Sequence, residues 1–120
     1  MPDRNAIVAA IQTYCRAETE NDRPAFMALF AEDIVHEDPV GVCTRRGLKE
    51  LAELWDLAQA GDVDLRLAED VIVCGNEAMA IMAAETGPAD ARRRTAPIVD
   101  HFVFNEAGKI TSVRAFYRYA

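Results

Sequence analysis

Three residues in this chain have side chains and settings suited to moving a proton: Tyr14, Asp38 and Asp100. Asp100 interrupts the apolar run Ala96-Pro97-Ile98-Val99-Asp100-His101-Phe102-Val103-Phe104. A carboxyl among such neighbours is costly to bury ionised, so it either finds partners or keeps its proton. A protonated acid donates a hydrogen bond, as a phenol does. Two such donors facing a free carboxylate make a device for shifting protons beside a carbonyl group.

Each of the three also has a plainer reading. Asp38 stands in a Glu-Asp-Pro-Val-Gly turn, where Asp before Pro commonly caps the turn. Tyr14 falls on an apolar stripe, where an aromatic normally serves the core. Asp100 has backbone groups or His101 as alternative partners, yet His101 points to the opposite face of the same strand. Strand propensity and burial both disfavour Asp in a central apolar strand, so Asp100 is the strongest signal. His36 shares one strand side with Ile34 and Asp38 and is read as partly buried or at the surface, without a role.

The elements that must position these groups begin with a helix from about residue 4 to 20, with Ile7, Ala10, Ile11, Tyr14 and Ala17 on one face. Asn21-Asp22-Arg23-Pro24 stops it and starts a second helix that buries Phe26, Leu29 and Phe30. Ile34 to Asp38 reads as a short strand ended by Pro39 and Gly41. Thr44 to Gly47 opens a third helix with Leu48, Leu51, Leu54, Trp55 and Ala58 as its apolar positions, closed by Gly61-Asp62. Four β runs follow: Val63–Val73, Glu77–Thr86, Arg93–Phe104 and Lys109–Tyr119. Turns at Gly75-Asn76, Gly87-Pro88-Ala89-Asp90 and Asn105-Glu106-Ala107-Gly108 separate them.

Helices first and an antiparallel meander second predict an α+β fold, three helices covering one face of a curved sheet. Both faces of the Arg93–Phe104 strand are largely apolar, which predicts that the outer sheet face meets a second copy in a homodimer. Both alternations of Glu77–Thr86 are apolar, so its inward face stays open.

At 120 residues the chain is read as a single domain over residues 1–120. With 51% hydrophobic and 28% charged residues it has the composition of an ordinary globular protein. Its net charge of −7 and lack of a basic face exclude phosphate-backbone binding, so no nucleic-acid partner is expected. Arg92-Arg93-Arg94 reads as a solvated hairpin shoulder. No segment approaches the roughly 18 apolar residues that span a bilayer. Three cysteines without Cys-x-x-Cys spacing fit free, mostly buried thiols in a reducing cytoplasm. Two histidines and no ligand cluster give a metal site little support.

On these residues the chain resembles the bacterial ketosteroid isomerases (steroid Δ-isomerases), of the nuclear-transport-factor-two-like superfamily of cone-shaped folds. The resemblance runs nearly the whole length and is densest in Gln12–Tyr14, Leu29–Asp33, Glu37–Gly41, Asp100–Phe102 and Phe104-Asn105. It implies Asp38 as the general base, with Tyr14 and a protonated Asp100 hydrogen-bonding the ketone oxygen as a dienolate forms. No cofactor is implied, and the substrate would be a 3-oxo-Δ5-steroid or a similar hydrophobic molecule. It also implies Phe30, Val40, Trp55, Phe102, Ala115 and Tyr117 as pocket or near-pocket positions.

The chain departs from the family twice. Phe30 and Trp55 stand where tyrosines often bond the catalytic tyrosine. Glu18, one turn after Tyr14, replaces an apolar residue near the steroid; it either reaches the rim or meets a polar or cationic group of the ligand. The competing readings are a module of the same fold that binds a hydrophobic ligand without turnover, and a polyketide cyclase-like enzyme. A limonene-type epoxide hydrolase uses an Asp-Arg-Asp arrangement, and no Arg here is evidently placed to serve.

Overall fold

A computed structural model describes residues 2–58, 63–88, 90–94 and 97–118. It is an α+β fold in which helices pack on an open, curved, mostly antiparallel sheet. Helix α1 (Arg4–Glu20) starts where the Asp3 carboxylate accepts from Ala6 N at 2.7 Å. It stops at Asn21, whose left-handed backbone (φ 54°) lets its N–H bond back to Ala17 and Glu18 carbonyls. Of its apolar stripe, Ile7, Ile11, Tyr14 and Ala17 are buried and Ala10 is half-buried.

The second helix corrects an expectation. α2 spans only Arg23–Met27 and buries Phe26, while Phe30 opens a strand, β1 (Phe30–Glu37). Pairing wins over helix extension because Phe30 lies beside Ile110 of β8 (Ile110–Phe116), and the Leu29 carbonyl accepts from Ile110 N at 2.9 Å. The strand expected over Ile34–Asp38 therefore starts earlier, and ends at Glu37. Thr44–Arg46, expected as a helix start, forms β2 against β1. Helix α3 (Gly47–Ala58) begins after it, where the Glu50 carboxylate accepts from Arg46 N at 2.8 Å. The stop expected at Gly61-Asp62 lies outside the described residues.

The run Val63–Val73 is two strands, β3 (Val63–Leu67) and β4 (Ile72–Cys74), both antiparallel to β5 (Glu77–Thr86). Polar Glu69 and Asp70 lie in the break and are exposed. Arg93 and Arg94 form the exposed β6, and β7 runs Ile98–Phe104. The strand order is β2-β1-β8-β7-β5-β3, with β4 and β6 also on β5. β1 pairs with β8 in parallel and the other pairs are antiparallel, so the sheet is curved and mostly antiparallel, as expected. The thiols are not mostly buried: Cys15 is, Cys43 is half-buried and Cys74 is exposed on β4.

The register decides where the core yields room for a site. On the inner face of β5, Ala78, Ala80, Met82 and Ala84 are buried. Asp100 pairs with Ala80 on one side and Ala115 on the other. Both neighbours are methyl-sized, and Phe102, Phe104, Ile110 and Val113 are buried on the same side of the sheet. Those four are at most 1% exposed, and burying each contributes about 1.5–3 kcal/mol. Among the described residues, no helix is long and apolar enough to cross a membrane.

Candidate active site

Three separate elements bring Tyr14, Asp38 and Asp100 to one cavity of about 230 Å³: α1, the turn after β1, and β7. Glu18, Val63, Leu65, Met82, Ala84, Thr86, Ile98 and Tyr117 complete its wall. The setting is apolar apart from its acids, a phenol pair and Thr86.

Asp100 is 3% exposed, and its Oδ1 has no hydrogen-bond partner among the described residues. Burial first, then the charge of Asp38, pushes its carboxyl up to about 8, so it holds a proton at neutral pH. Tyr14 is also held in its neutral form. Burial raises its hydroxyl well above the usual phenol range, and Glu18, Asp100 and Asp38 add to the shift. Two neutral O–H donors therefore face the cavity.

The Tyr14 ring is fixed by Phe26, Phe30 and Phe102, with centroids at 5.2, 6.2 and 5.3 Å. Its hydroxyl lies 3.4 Å from Nε2 of His36. His36 is 2% exposed and its Nδ1 lacks a partner. Burial lowers its pKa, only partly opposed by Asp38, so the ring is neutral. With the proton on Nε2 it donates to the Tyr14 oxygen and leaves the phenol hydrogen for a ligand; the other tautomer would take that hydrogen. Sequence reasoning gave His36 no role. The available signal was alternation, which put it on the Asp38 side of the strand.

Asp38 is only half-buried, and its Oδ1 accepts from the Tyr117 hydroxyl at 2.7 Å. Tyr117 thus lines the cavity, as the resemblance implied, and is also tied to the carboxylate. Trp55 lines a smaller adjoining cavity of about 70 Å³ with Phe26, His36, Leu51, Leu54 and Ala58; Glu18 and Asp38 line both cavities. Phe30 and Phe102 pack on the Tyr14 ring and Ala115 flanks Asp100, without lining either cavity. Val40 lies in the turn, its N–H bonded to the Ala115 carbonyl at 3.0 Å, which ties the Asp38 turn to the strand beside Asp100. His101 leaves on the outer face, where Nε2 lies 2.7 Å from Glu77 Oε1. The wall from β3 and β5 was missed, because both alternations of β5 are apolar.

A carboxylate and two neutral donors on one largely apolar cavity can take a proton from carbon and stabilise the resulting oxyanion. Comparison with known proteins places the chain in a family. Residues 11–113 match the model of the SnoaL-like domain. The chain is 32% identical over 111 residues to a steroid Δ-isomerase of Nocardioides simplex, covering 92% of this chain and 89% of that one. Its fold matches a Mycobacterium tuberculosis crystal structure with a TM-score of 0.84 at 21% identity, covering 98% and 95% of the two chains. An M. tuberculosis LEH-like epoxide hydrolase matches with a TM-score of 0.82 at 18% identity, over 98% and 86%. At those identities the two structures speak for the fold alone.

Proposed function

This chain belongs to the SnoaL-like domain family, and from its site we propose that it is a cofactor-independent isomerase moving the double bond of a 3-oxo-Δ5-steroid into conjugation. The observation that carries the reading is the unpartnered, proton-bearing Asp100 on the same cavity as Tyr14 and a carboxylate. The Nocardioides simplex relative supports a steroid as the substrate class.

In this reading Asp38 takes the proton from the carbon between the ketone and the double bond. The electron pair moves into the ring as a dienolate, and its oxygen receives hydrogen bonds from Tyr14 and Asp100. Asp38 then returns the same proton to the far carbon of the allylic system. Atoms and charge balance within one substrate molecule. The donors act most strongly in the transition state, because charge develops on oxygen there.

The test is incubation of the protein with 5-androstene-3,17-dione while conjugated-enone absorbance is followed. A rate well above buffer is expected. No rate, with tight steroid binding retained, would leave a binding module of the same fold.

Tyr117 steadies the base in this scheme. Tyr117→Phe removes a hydrogen bond to a charged group, so kcat is expected to fall roughly ten- to a hundredfold through misplacement of Asp38. An unchanged kcat would show that the bond does not position the carboxylate.

We also propose that the protein works as a homodimer through its outer sheet face. Met79 and Phe116 are 41% and 42% exposed there, beside the half-buried Ile81, Val99 and Val103. Light scattering after size exclusion should give twice the mass of one chain, and Met79→Glu should shift it toward one. A monomer in the parent protein, or a dimer untouched by the new charge, would remove this face from consideration.

A further inference from the structure

The cavity contains a third carboxyl that the proposed reaction does not use, and we propose that Glu18 forms a polar subsite taking an uncharged hydroxyl of the substrate. This inference rests on the isomerase reading, and it narrows the substrate to a hydroxylated ketone. Glu18 follows Tyr14 by one turn of α1, which puts both on the same helix face. It lines the main cavity and also the smaller one, so it stands at their junction beside Asp38.

Among the described residues the Glu18 carboxyl has no hydrogen bond and no ion pair, and the nearby Arg16 is turned outward to Glu20 and Asp22. An independent observation marks the same cavity as built for a ligand: the Oδ1 of Asp100, 3% exposed, is also unpartnered there. The cup thus holds two acids that the protein leaves to a ligand, and the ketone oxygen accounts for only one of them.

The chemistry of the second group follows from its surroundings. An ammonium at Glu18 would also sit near Asp38 and Asp100, and its charge would favour the ionised form of Asp100. That would remove the donor the ketone oxygen needs. A carboxylate or phosphate would face three acids. A hydroxyl both donates and accepts, so it suits Glu18 in either protonation state. A plain hydrocarbon would displace water and leave Glu18 without any partner. Burial, then Asp100 and Asp38, push Glu18 up to about 8, so near neutral pH it can offer a proton to the hydroxyl oxygen.

Planar phenols that mimic the dienolate provide the probe. The protein would be titrated with 2-naphthol and with a set of dihydroxynaphthalenes that moves a second hydroxyl around the rings. At least one of them is expected to bind about tenfold tighter than 2-naphthol. That gain should vanish in Glu18→Val and largely persist in Glu18→Gln, whose amide also donates and accepts. Glu18→Val should in addition bind 2-naphthol severalfold tighter than the parent does. If 2-naphthol binds but no second hydroxyl helps, or the gain survives in Glu18→Val, the subsite is wrong and the isomerase reading stands. If 2-naphthol itself fails to bind the parent protein, the oxyanion site falls and the subsite falls with it.

Discussion

Asp38→Asn is expected to lower kcat on 5-androstene-3,17-dione by about 10²–10⁴, the range typical of a lost general base. An amide has nearly the same shape as the carboxylate, and its oxygen can still accept from Tyr117. It cannot take a proton from carbon. The donors, Tyr14 and Asp100, remain across the cavity, so a phenolic dienolate mimic such as equilenin should bind the variant nearly as well as the parent. Stopped-flow kinetics and a fluorescence titration of the same preparation separate the two effects. Full activity in Asp38→Asn would end the base assignment. Equal loss of turnover and of mimic binding would point instead to damage of the whole cup.

Asp100→Leu is the second large effect. Loss of one oxyanion donor is expected to lower kcat by about 10²–10³, and here mimic affinity should fall as well, because the donor acts on both. The pH dependence carries a separate signature. Asp100 donates only while protonated, and its pKa lies near about 8. Turnover and mimic binding should therefore decline as pH rises through that value, where an ionised Asp100 would repel the developing oxyanion. Asp100→Asn keeps a donor that does not titrate, so it should retain more activity than Leu and lose the part of the alkaline decline that Asp100 causes. An alkaline profile identical in parent and Asn variant would refute the neutral-acid role.

The same raised pKa makes a stability statement. Between the ordinary carboxyl value of 3.8 and about 8, the folded chain holds the Asp100 proton and the unfolded chain does not. Unfolding then releases a proton, so stability falls as pH rises across that window and levels off above it. Glu18, raised from 4.5 to about 8, slopes the same way. Asp100→Leu should flatten this slope in denaturant midpoints measured across the window.

Much of this molecule is readable from local pattern. Helical spacing put Tyr14 on the inner stripe of α1, and that stripe is buried. Alternation put Asp100 with Phe102 and Phe104, all buried on one side of β7, with His101 on the other. The anomaly of an acid in that row was visible without coordinates, because its cost depends only on its immediate neighbours. Boundaries were less legible. Phe30 has the apolar character that either a helix or a strand can bury, and only its position beside Ile110, far along the chain, made it a strand residue.

What local pattern left open were relations between distant segments. The bond from Tyr117 to Asp38 joins residues 79 apart in sequence, and that between Tyr14 and His36 crosses from helix to strand. The inner face of β5 was undecided because alanines and methionines alternate on both sides, and its pairing with β7 chose Ala80 to stand beside Asp100. Side-chain type and spacing along one segment determine which face is apolar and which acid is out of place. Which groups then meet across a cavity is determined by register and chain closure, through contacts that no single segment can form alone.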